Sequence, residues 1–137
     1  MASSYRDSLR NTRMNAITTD AGATAVLTVW SGAPAGKSAG VYNADPGTLL
    51  ASLPMSNPIA AAAVAGLLTL SAITSALGLA SGSPQSYRIK TVAGGAPSTV
   101  VSEGDAGVGT GSLNFASPIS NGGQVSVSSG TMTEGNP

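Results

Sequence analysis

Residues 46–87 run for 42 positions without one charged side chain, and within them residues 59–82 read IAAAAVAGLLTLSAITSALGLASG. Ordinary soluble domains place a charge at about one position in four, whereas this chain is 9% charged overall. An uncharged stretch of that length has three destinations: a bilayer, a protein interior or interface, or a surface wetted by Ser, Thr and Gly alone. Residues 59–80 are long enough to cross a membrane as a helix. Their composition points elsewhere, because Ala, Ser, Thr and Gly dominate where insertion favours Leu, Ile, Phe and Val. Pro58, Gly66 and Gly78 punctuate the run as turns would. The run is therefore expected to supply the middle strands of a β-structure, with its missing charge reserved for protein neighbours. A membrane-inserted segment is the alternative.

The absences narrow the chemistry. The chain has no Cys and no His, which removes disulfides, thiolate metal sites, the thiol nucleophile and the commonest general base. No enzymatic activity, cofactor, metal or small-molecule substrate is expected. Six basic and six acidic residues balance to zero net charge, so no global field steers the chain to nucleic acid or to an anionic membrane. With 137 residues the chain is expected to be one β-rich unit. One Trp, one Phe, 18 Gly and 8 Pro give it little aliphatic and aromatic density. Assembly with copies of itself or with another protein is expected to complete its burial.

The first 22 residues differ in pattern and are expected to form a helical arm, with residues 23–137 forming the β-domain. Ser3 or Ser4 is the expected N-cap, Asp7 lies in the first turn where it complements the helix dipole, and Gly22 is a good C′ residue. On a helical wheel Tyr5, Leu9 and Ala16 share a stripe, beside which stand Arg6, Arg10 and Arg13. Two readings are open: a solvated edge whose arginine stems flank a packed seam, or a docking helix whose guanidinium groups grip carboxylates on a partner. Asp7 and Asp20 dilute the basic patch, which argues against nucleic acid. No apolar segment follows the charges, so a secretory signal is not expected.

Beyond Ala23 short apolar runs alternate with turn residues. Strands are expected in 23–32, 48–56, 66–73, 86–93, 98–103, 112–117 and 124–133, with a loop over 33–47. Pro54 marks the second of these as an edge or a bulge. Seven short strands broken by Gly, Pro and Asn clusters predict a mainly β fold, an antiparallel β-sandwich of jelly-roll or immunoglobulin-like type, with one N-terminal α-helix.

The candidate motifs are weak. Gly104, Gly107, Gly109 and Gly111 lack the Gly-Lys-Ser/Thr of a phosphate loop and read as a flexible connection between strands. Glu103 and Asp105 are too few for calcium and read as capping or turn residues. Trp30 and Tyr87 are of the types that anchor cores and interfaces.

Three stretches carry a resemblance. Residues 16–20 read AITTD and lead through Gly22 into a first strand; residues 48–53 read TLLASL; residues 131–136 read TMTEGN. Together with the Arg/Asn-rich helix before them, they resemble a family of small proteins encoded among the head and tail genes of tailed bacteriophages and prophages. The resemblance implies a virion structural component, most directly a capsid decoration or cement protein. It would sit on the outer capsid surface, bind the major capsid protein and form a homo-oligomer. The contact residues expected on that basis are Arg6, Arg10, Arg13 and Trp30. A tail or head–tail connector component is the runner-up. A carbohydrate-binding or host-attachment module would need an aromatic platform that five aromatic residues hardly supply.

Overall fold

The computed structural model describes residues 4–127 and 130–133. One helix, α1 (Asp7–Ala21), precedes eleven short strands: β1 (Val26–Trp30), β2 (Lys37–Ser38), β3 (Val41–Tyr42), β4 (Leu49–Pro54), β5 (Leu67–Thr69), β6 (Ala76–Leu77), β7 (Ser86–Lys90), β8 (Val100–Val108), β9 (Leu113–Phe115), β10 (Gln124–Val125) and β11 (Thr131–Thr133). Five of them form one sheet in the order β4-β1-β7-β8-β9. The other six pair into the two-stranded ribbons β2–β3, β5–β11 and β6–β10. The fold is mainly β with one N-terminal helix, as the turn spacing predicts.

The layering is less regular than two matched sheets. All pairs in the large sheet are antiparallel except β8–β9, which is parallel. The elements that pack with its apolar face are α1, β5 and the segments around them. They contribute Met14, Ala21, Ile59, Ala60, Ala63 and Leu68 to one core with Leu27, Val29, Leu53 and Ile89 of the sheet. Pro54 falls at the end of the edge strand β4, the position where a residue without an N–H is tolerated.

Strand β1 lies inside the sheet between β4 and β7, and all five of its residues are buried. Its register explains why. Leu27 opposes Ile89 and Val29 opposes Tyr87 on the apolar face, while Thr28 opposes Arg88 and Trp30 opposes Ser86 on the other. An alternating strand normally leaves its second face to water. Here residues 31–47 fold back over that face. Residues 33–47 are expected as a loop, but they contain the β2–β3 hairpin, whose two turn residues Ala39 and Gly40 both have positive φ (51° and 80°), the backbone of the tight turn that matches strand twist.

The uncharged run is broken into short extended pieces, with Ile59 and Leu68 fully buried and isolated bridges joining Ala60 to Leu70 and Met55 to Ile73. Among the described residues no helix is long and apolar enough to cross a membrane.

Only part of the glycine-rich segment 104–111 is a connection between strands: Gly109 and Gly111 lie between β8 and β9, whereas Gly104 and Gly107 lie within β8. Glu103–Val108 belongs to the nine-residue strand β8, and the space beside two of these glycines is taken by neighbouring groups, a backbone for Gly111 and a side chain for Gly104. A Cβ on Gly111 would lie 2.9 Å from the Ala106 carbonyl carbon, and one on Gly104 would lie 2.6 Å from the ring of Tyr87. The Tyr87 ring thus lies across Gly104 of the neighbouring strand. Burial, followed by the nearby Asp105 carboxylate, raises the phenol above the ordinary tyrosine value of 10.0. The folded state then holds its proton after the unfolded state has released it. Stability is unaffected below pH 10 and falls as pH rises from 10 through the raised folded value. In Tyr87→Phe that alkaline decline should flatten, which urea unfolding at a series of pH values above 9 would measure; an unchanged slope would assign the decline to other groups.

Candidate functional site

Helix α1 begins later than expected. Arg6 occupies the N-cap position and makes no side-chain cap bond; Ser4 precedes it, and Ser3 lies outside the described residues. Asp7 does stand in the first turn, and Gly22 closes the helix at φ 71°. The packed face of α1 is not the Tyr5–Leu9–Ala16 stripe. Met14 and Ala21 are the buried residues, with Ile17 packed beside them. Two asparagines one turn apart make the polar half of the seam: Asn15 Oδ1 accepts from Ala63 N at 2.7 Å, and Asn11 Oδ1 accepts from Gly66 N at 2.8 Å. Each such bond contributes about 0.5–1.5 kcal/mol. They spare two backbone N–H groups of the uncharged run an unpaired burial.

This rotation divides the three arginines. Arg10 turns inward, its guanidinium over the place a Cβ of Gly66 would fill (2.6 Å), and it pairs with Asp7 at 3.1 Å. Arg6 and Arg13 stay on the exposed surface, with Arg13 4.4 Å from the centre of the Tyr5 ring. Leu9 is 40% exposed. Val64 and Leu67, 71% and 39% exposed, flank Gly66 at the corner that Asn11 holds. The outer surface of the helix and this corner thus carry apolar side chains with two cations.

Trp30, the fourth expected contact residue, sits on the covered face of the sheet at 7% exposure. Its Nε1 donates to Thr28 Oγ1 at 2.9 Å, and Lys90 Nζ lies 5.1 Å from its ring centre.

Around Trp30 is a charge cluster that the sequence reading missed. Arg88 Nε donates to Glu103 Oε2 at 2.7 Å, and Arg88 Nη1 donates to Asp45 Oδ1 at 2.9 Å and to the Asn43 carbonyl at 3.0 Å. Lys90 Nζ reaches both oxygens of Asp45, at 2.8 and 2.9 Å, and the Gly95 carbonyl at 2.8 Å. Glu103 in turn accepts from Gly36 N at 2.7 Å and Ala35 N at 3.3 Å. Glu103 is therefore a strand residue that grips the strap over residues 31–47, not a cap or turn residue. Asp105, also a residue of β8 and not of a turn, accepts from Ser112 Oγ at 2.5 Å, and its hydrogen bonds with Ser112 hold its carboxyl below the ordinary value of 3.8. The detectable signal was parity: Ser86, Arg88 and Lys90 alternate along β7, so their side chains leave the sheet on one face.

The cluster is neutral and closed. Arg88 is completely buried and Lys90 nearly so; two cations face two carboxylates, leaving no net charge for a ligand. Arg88 Nη2 has no acceptor among the described residues, a desolvation cost of about 1–3 kcal/mol that the other bonds offset. No group of His, Cys, Asp and Glu fit for a metal ion occurs among the described residues. The arrangement can fix the strap to the sheet. No family model, curated protein or solved structure matches the chain.

Proposed function

We propose that this chain is a capsid decoration protein of a tailed phage, a non-enzymatic subunit that docks on the outer capsid surface and ties neighbouring capsomers together. The observation that carries the reading is the outer surface of α1 and its adjoining corner, where Leu9, Val64 and Leu67 are exposed beside Arg6 and Arg13. Apolar anchors combined with arginine are the composition of interface hot spots. The resemblance at residues 16–20, 48–53 and 131–136 supplies the virion context. Arg10 supports the docking surface from beneath, and the Asn11 and Asn15 bonds keep helix and corner in one geometry, so little ordering remains for binding to offset. Many modest contacts repeated over a lattice would give lasting attachment.

Purified protein mixed with capsids that lack it should add regular density across the shell in electron micrographs. Density confined to the portal axis or to the tail would overturn decoration and favour a connector. The double variant Leu9→Asp/Arg13→Glu is expected to weaken capsid binding by about 2 kcal/mol or more, with an unchanged far-UV circular dichroism spectrum because neither side chain belongs to the core. Full retention of binding would remove the helix from the interface.

A further inference from the structure

On the apolar face of the sheet, opposite the charge cluster, a cavity of about 280 Å³ opens between β1 and β7 on one side and the segments around Leu70, Ile73 and Met132 on the other. Natural cores are close-packed, and voids larger than a water molecule are few. The space is bounded by side chains from separate elements and opens to solvent beside the exposed Asn114 and Ser126. We propose that it binds a small uncharged ligand, a single aromatic or similar apolar ring bearing one short hydroxyl-type group.

Each part of that description follows from the lining. Leu27 and Ile89 provide an apolar floor, and the Tyr87 ring adds an aromatic wall, against which a second ring gains edge or offset stacking. An apolar cavity of about 150 Å³ takes benzene, so one nearly twice as large takes a ring with a substituent. Ser112, Asn114 and Ser126 also line the space, and Asn114 and Ser126 are exposed, which puts hydrogen-bonding groups at the mouth for the substituent. Ser112 is held in place by its bond to Asp105. No charged side chain lines the cavity among the described residues, so an ionised ligand would be buried without a counter-charge. The Tyr87 phenol is neutral across the ordinary pH range, as an ordinary tyrosine already is, and burial raises its pKa further.

The site lies on the opposite face of the sheet from Trp30 and apart from the docking surface of α1, so the proposal stands independently of the capsid reading. Its occupant would bridge the sheet to the β5–β11 ribbon, which places Met132 opposite Leu68.

Titration of the full chain with 4-fluorobenzyl alcohol, followed by fluorine NMR and by the methyl resonances of Leu27, Ile89 and Met132, tests this. Saturable binding with a dissociation constant in the range of about 1 mM is expected, with those methyl groups shifting together. 4-Fluorobenzoate should bind at least about tenfold more weakly. Filling the space with Ile73→Phe should abolish binding while the thermal midpoint is kept; Leu113→Phe serves the same purpose if the first variant fails to fold. Absence of saturation, equal binding of the benzoate, or retained binding in a folded filled variant would each overturn the proposal.

Discussion

Replacing Arg88 by methionine is expected to lower the free energy of unfolding by about 3–5 kcal/mol, because removing one partner of a buried ion pair strands the other. Arg88 is fully buried, and the Glu103 side chain it pairs with is 5% exposed. In the variant Glu103 keeps only its bonds from Gly36 N and Ala35 N, in a site that excludes water. Asp45 is less affected, since Lys90 still holds both its oxygens and its side chain is 29% exposed. The loss should appear as a lower urea midpoint. Amide exchange should accelerate first at Ala35 and Gly36, the donors that Glu103 binds. The double variant Arg88→Met/Glu103→Leu should recover part of the loss and not all of it: the stranded carboxylate is gone, but the two strap amides then lack an acceptor. A loss below about 1 kcal/mol in the single variant would mean that the cluster behaves like an exposed ion pair and that the strap is held by other bonds, such as Gly32 N to Pro46 O and Ser86 Oγ to Gly32 O.

Trp30→Ala should remove about 3–5 kcal/mol, the range for truncating a large buried aromatic. The side chain is packed between Thr28 and Lys90 under the strap, and its loss leaves a hole in a layer built largely of polar groups, which cannot collapse onto apolar neighbours. As the chain has one Trp, fluorescence reports the site directly. Emission should be blue-shifted in the native wild type and move to the red on unfolding. The capsid test then separates two roles for this residue. If Trp30 acts through folding, Trp30→Phe should retain most of the stability and all of the capsid binding. If Trp30→Phe folds normally yet loses binding, the residue meets the partner directly and the strap must move to expose it.

Strand positions were legible because they depend on local pattern. The runs at 23–32, 48–56 and 86–93 contain β1, β4 and β7, and Gly22 ends the helix where a residue of positive φ was expected. The expected strand at 124–133 is split into β10 and β11, which pair with different partners, β6 and β5; residues 134–136 of the resemblance lie outside the described residues. What failed was the choice of face. The helical wheel weighted Tyr5 and Leu9 as the seam because they are large and apolar. The helix instead packs through Met14, Ile17 and Ala21, because Asn11 and Asn15 lie on that side and satisfy buried backbone donors that no apolar side chain could. Gly104 differs from its expected role for a related reason: it accommodates the ring of Tyr87 from the adjacent strand, a neighbour that no local pattern names.

Sequence alone determined that the 42 residues between Asp45 and Arg88 carry no charge, and that Pro and Gly break them into short pieces. Only the tertiary structure decided that these two bounding charges meet at 2.9 Å, closing the uncharged stretch into a loop pinned by a part-buried ion pair. Hydrophobic and turn patterns act over a few residues and can be read along the chain. The partner of a charge 43 positions away is set by strand register and by the strap that folds over the sheet, and these exist only once the chain has packed.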